Sequence, residues 1–127
     1  MPIVTIETLS DSPYSDDDAM PTPRQMQSLA DALGELFGSQ PSGTWVRARQ
    51  QQRGYYAENM IDFSPELRPV IVEVLKSELE SGKTLAVEAA AICAVVAQIL
   101  GRRTENVHVI YEPAARGRVA FGGQLVR

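Results

Sequence analysis

The chain is 127 residues long with a net charge of −4; 44 % of it is hydrophobic and 22 % charged. Those proportions suit one globular domain, residues 1–127, with a real core, and exclude an intrinsically disordered chain. The acidic balance offers no attraction to nucleic acid or to an anionic membrane, so neither is an expected partner.

The first element is Pro2-Ile3-Val4-Thr5-Ile6-Glu7-Thr8-Leu9, a strand by its β-branched content and leading proline. A polar stretch follows, carrying Asp11, Asp16, Asp17 and Asp18. Thr22-Pro23-Arg24-Gln25 then offers an N-cap, a proline at the first helical position and a glutamine that closes a capping box. The helix it opens places Met26, Leu29, Ala30, Leu33, Leu36 and Phe37 on one face, and Gly38 ends it. Past Pro41-Ser42-Gly43 a second strand begins, Thr44-Trp45-Val46-Arg47-Ala48-Arg49.

The second half repeats this order. Pro69-Val70-Ile71-Val72-Glu73-Val74-Leu75 is a strand whose near-continuous apolar run predicts burial on both faces. A helix from about Thr84 to Leu100 carries Ala89, Ile92, Cys93, Val96, Ile99 and Leu100 at the same spacing, and Gly101 follows as Gly38 does. Val107-His108-Val109-Ile110-Tyr111 is the fourth main strand; Pro113 to Gly117 turns the chain into a short strand, Val119-Ala120-Phe121. The expected fold class is therefore α/β (α+β), with pseudo-repeats 1–60 and 61–127. Two right-handed β-α-β units share a four-stranded, mainly parallel or mixed sheet with both helices on one face. The opposite face is expected to carry apolar side chains that one chain leaves bare, so oligomerisation follows.

Cys93 stands alone and cannot close an internal disulfide, which points to a reducing, cytoplasmic setting. No signal-peptide pattern opens the chain, and the run Ala89 to Val96 is too short to span a bilayer. No glycine-rich phosphate loop, metal-ligand cluster or nucleophile elbow is present, so no cofactor and no metal are expected.

Two stretches carry a resemblance. One is Met1-Pro2-Ile3-Val4-Thr5-Ile6; the other is Asn106-Val107-His108-Val109-Ile110-Tyr111-Glu112-Pro113-Ala114-Ala115-Arg116-Gly117-Arg118-Val119-Ala120-Phe121-Gly122-Gly123. Joined to the doubled β-α-β order, they resemble the tautomerase superfamily, and the end of the chain is similar to the strand, turn and Gly-Gly hairpin of its 4-oxalocrotonate tautomerase branch. The resemblance implies a homotrimer and a small-molecule substrate. It also implies a keto–enol tautomerase, an isomerase in which Pro2, once Met1 is removed, is an N-terminal proline acting as general base on a small keto or enol acid. A free α-amino group has a pKa of about 7.7–8.0, and burial or nearby cations lower it. Pro69 is internal and has no free amine, so one site per chain is expected. Structurally, Pro2 could instead merely start an edge strand, where a missing N–H costs little.

Arg47 and Arg49 lie two apart on a strand and so share a face with Trp45, a plausible anion pocket because guanidinium groups grip carboxylates. The same residues also suit a solvated strand face or ion pairs between subunits. His108 stands where the resemblance places a substrate-binding arginine, and Arg116 lies in the terminal hairpin. Tyr55 and Tyr56, in the connection between halves, are candidate proton donors; packing between subunits accounts for them equally. The arginine expected after the first strand is missing and an acidic insertion, 11–18, stands near its place, which disfavours dicarboxylate substrates. Two other readings stay open: a non-catalytic trimeric protein of this fold, and a lyase or hydratase with Pro2 as acid.

Overall fold

Strand alternation and helical periodicity translate into β1 (Ile3–Leu9), α1 (Pro23–Phe37), β2 (Trp45–Gln51), β3 (Val70–Leu75), α2 (Gly82–Leu100), β4 (Val107–Tyr111), β5 (Ala120–Phe121) and β6 (Gln124–Leu125). The computed structural model describes residues 2–10, 20–61 and 68–127; Met1 and the acidic insertion fall outside the described residues. The sheet order is β2-β1-β3-β4. Strands are parallel within each repeat, β1 with β2 and β3 with β4, and antiparallel where the repeats meet at β1 and β3. The sheet is mixed, as expected, because a helix carries each parallel crossover while the two halves face each other head to tail.

The capping box forms as read. The Gln25 backbone N–H donates to Thr22 Oγ1 at 3.1 Å, and the Thr22 N–H donates to Gln25 Oε1 at 2.9 Å. Gly38 ends α1 at φ 65°, a left-handed conformation that a side chain resists. Helix α2 begins at Gly82, two residues before the predicted Thr84.

One layer of side chains makes the core. Val4 and Ile6 of β1, Val70, Val72 and Val74 of β3, Leu29 and Leu33 of α1, and Ile92 and Val96 of α2 are fully buried. Each such side chain contributes about 1.5–3 kcal/mol relative to leaving it exposed. This is the packing that fixes both helices on one face of the sheet.

Two expectations are corrected. Strand β3 is not buried on both faces within the chain: Val70, Val72 and Val74 face the helices, while Ile71, Glu73 and Leu75 are only half-buried. The bare sheet face is not simply apolar. Alternation sets Thr5, Glu7, Arg47, Arg49 and Glu73 there beside Ile3 and Leu75, and Arg49 binds Glu7 at 2.8 Å and Glu73 at 2.9 Å. Helix α2 as a whole, unlike the shorter run Ala89 to Val96, is long and apolar enough to cross a membrane by length and composition, and it carries Lys83 and Glu88. Here it packs on the sheet through Ile92, Val96, Ala97 and Leu100.

Candidate active site

Pro2 is buried at the head of β1, where its carbonyl accepts the Trp45 N–H at 3.0 Å. The β1–β3 pairing runs to Ile3 opposite Leu75, so Pro2 and Lys76 are the next residues on each strand. Because β1 and β2 are parallel, the α1–β2 connection returns to this same end. Pro2, Phe37, residues 38–43, Lys76, Ser77, Glu78 and Glu80 together line a cleft of about 620 Å³. Gly43 is needed in that wall: its N–H donates to the Gln40 carbonyl at 2.8 Å, and a Cβ would sit 2.8 Å from the same oxygen.

Lys76 is held from behind. Its Nζ lies 2.8 Å from Glu88 Oε2 on α2 and 5.3 Å from the centroid of the Phe37 ring. Glu88 also accepts the Tyr111 hydroxyl at 2.9 Å through its other oxygen. Both ionic side chains are mostly covered, Lys76 being 14 % and Glu88 13 % exposed. Burial, and then the Glu88 hydrogen bond, push the Tyr111 phenol well above its usual range. The C-terminal turn is laced to the same end by the Ala115 N–H donating to the Lys76 carbonyl at 2.7 Å. That lacing brings Arg116 within 2.5 Å of Glu78.

The sequence candidates distribute unevenly around this cleft. Arg116 reaches it indirectly, through Glu78. Arg47 and Arg49 lie on the opposite sheet face; Arg47 Nε donates to Thr5 Oγ1 at 2.8 Å, and Arg49 is engaged by its two glutamates. Arg47 lines a separate hollow of about 250 Å³ with Glu73, Glu112, Arg118 and Val119, beneath the C-terminal segment. His108 is exposed on β4, the edge strand farthest from β2. Tyr55 is 81 % exposed, and the Tyr56 hydroxyl donates to Glu58 at 2.6 Å. Within one chain, none of these six residues lines the Pro2 cleft.

Lys76, Glu78, Glu80 and Glu88 were not singled out in the sequence. The usable signal was Lys76 itself, the first charge after the apolar run that ends at Leu75. By the repeat symmetry, the counterpart of the cleft lies at the other sheet end, where Arg68, Gly101, Arg102, Arg103 and Asn106 line a hollow of about 430 Å³. Its proline, Pro69, has an amide nitrogen.

The chain matches no family model, and no curated protein matches it either. Solved structures do match. A structure described as a fused 4-OT wild type symmetric trimer aligns with TM-score 0.73 at 12 % identity, covering 98 % of this chain and 94 % of that one. The chain has the tautomerase-superfamily fold. Macrophage migration inhibitory factor from Oncomelania hupensis shares that fold at TM-score 0.71 and 14 % identity, over 100 % of this chain and 83 % of that one. A malonate semialdehyde decarboxylase inhibited by 3-bromopropiolate shares it at TM-score 0.62 and 21 % identity, over 94 % and 90 %. At these identities the likeness establishes the tautomerase architecture, while the chemistry must be argued from this chain's own residues.

Proposed function

We propose that this chain is a cofactor-independent tautomerase, an isomerase that works as a homotrimer on a small keto or enol acid. Pro2, freed of Met1, is its general base. The observation that carries this reading is the position of Pro2: buried at the head of a central strand and lining a cleft with a fixed ammonium, Lys76. The shared fold with a 4-OT trimer supports the assembly.

In the reaction, the secondary amine of Pro2 takes the enol hydroxyl proton. The oxygen's electrons form the carbonyl as the C=C bond opens, and the carbon takes a proton back from the ammonium. Atoms and charge balance without a redox partner. The amine must be neutral to begin. Activity is therefore expected above the pKa of Pro2 and lost as pH falls through it; Lys76 pushes that value down from the ordinary α-amino range of about 7.7–8.0, and Glu78 and Glu80 push it up. A lyase or hydratase using the protonated amine would show the opposite limb.

The test is ketonisation of phenylpyruvate enol and of 2-hydroxymuconate by wild type and P2A, alongside mass measurement of the N-terminus. We expect Met1 to be absent and P2A to lose at least about a hundredfold, the usual share of general acid–base catalysis. Equal rates in the two proteins, or an N-terminus still carrying Met1, would remove Pro2 from the mechanism.

A further inference from the structure

We propose that Lys76, clamped by Glu88, is the anion-binding group of the Pro2 cleft, and that the cleft takes a ligand bearing a single carboxylate. This rests on the reading of the Pro2 cleft as the substrate site and names the substrate class it selects.

The argument starts from donors. An ammonium has three N–H groups. Among the described contacts, Lys76 gives one of them to Glu88 Oε2, and its charge lies over the Phe37 ring. Donor capacity is left for the cleft that Lys76 lines beside Pro2. The Glu88 ion pair and the Tyr111 hydrogen bond behind it fix where that ammonium stands. A lysine so held has already lost its rotamer freedom, which lowers the entropic cost of gripping an anion.

Charge then limits what can follow. Among the described lining residues Lys76 is the one cation, and Glu78 and Glu80 are the two carboxylates. Arg116 neutralises Glu78 from outside the lining, and Glu88 already offsets Lys76 from behind. One carboxylate placed on Lys76 finds a charge-assisted hydrogen bond. A second carboxylate on the same ligand finds no further cation among the described lining residues and meets Glu78 and Glu80.

The experiment measures binding rather than turnover. Phenylpyruvate, a monocarboxylate, and 2-hydroxymuconate, a dicarboxylate, are titrated calorimetrically into P2A, into P2A/K76M/E88Q and into P2A/K76R. The double change at positions 76 and 88 removes both charges together, so no lone buried ion is left to unfold the protein. We expect phenylpyruvate to bind P2A and to weaken at least about tenfold when Lys76 and Glu88 are neutralised, with K76R recovering part of the loss. We expect 2-hydroxymuconate to bind P2A at least about tenfold more weakly than phenylpyruvate, and E78Q/E80Q to narrow that gap.

Unchanged phenylpyruvate affinity without Lys76, equal affinity for the two acids, or no binding of either overturns the proposal. Should the neutralised variant not fold, the Lys76 side-chain resonances of folded P2A decide: phenylpyruvate must shift them, and their indifference is equally fatal. Failures of the two readings separate cleanly. Lys76-dependent binding to a wild type that does not ketonise enols defeats only the tautomerase reading. Ketonisation that ignores Lys76 defeats only this one.

Discussion

Two phenols in this protein each donate to a glutamate, Tyr56 to Glu58 and Tyr111 to Glu88. Partial burial first, and then the Glu58 hydrogen bond and negative charge, push Tyr56 from 10.0 up to about 12. The sign of the stability effect follows from proton counting. Between pH 10.0 and about 12 the unfolded chain has released a proton that folded Tyr56 still holds. The contribution is therefore whole below the lower value and is lost as pH rises through the upper one. An alkaline titration followed by phenolate absorbance is expected to show a late step that Y56F lacks. If wild type and Y56F rise together near the ordinary phenol value, the Tyr56–Glu58 bond is not what holds the proton. Tyr111 is raised for the same reasons, and its proton bears on the cleft because it stays on the oxygen that steadies Glu88.

The elements allow the most direct stability predictions. T22A removes the capping oxygen of α1 and is expected to cost about 1 kcal/mol in urea unfolding; no change in midpoint would mean that water replaces the cap at no cost. I92A opens a hole between α2 and the sheet and is expected to cost about 2–5 kcal/mol. These elements were readable in the sequence because their causes are local. The Thr22–Gln25 pair, the one-faced spacing from Met26 to Phe37, the paired end glycines and the β4 limits all depend on neighbours in the chain. What was not readable depends on the register between β1 and β3. That register alone puts Lys76 beside Pro2 and Glu73 within reach of Arg49, and nothing in either strand's own periodicity encodes it. The apolar look of β3 likewise hid Glu73, whose charge matters only once Arg49 stands across from it.

At the scale of the whole molecule, the bare sheet face is a balanced ionic surface with Arg49 between two carboxylates. In one exposed chain such pairs contribute about 0–1 kcal/mol. Inside an assembly they would be desolvated, and losing one partner would leave uncompensated charge, a far larger penalty. If the proposed homotrimer turns this face inward, R49E, which gathers three carboxylates, is expected to break the assembly. R49K is expected to preserve it. Sedimentation should give three times the chain mass for wild type and R49K and the single-chain mass for R49E. A wild type that sediments as one chain, or an R49E trimer as stable as wild type, argues against that burial.

Strands β2 and β4 end the sheet on either side, each with one row of backbone donors and acceptors that none of the described strands pairs. The two rims are unlike, one arginine-bearing and one not. A contact that joined rim to unlike rim would pass from copy to copy in a fixed direction. Whether such growth stops depends on rotation alone: a turn that closes uses up every rim, and one that misses closure propagates as a fibre. The angle between neighbouring copies is then a solubility determinant in its own right, and a substitution that alters it by a few degrees can convert a finite particle into a polymer without touching the cleft.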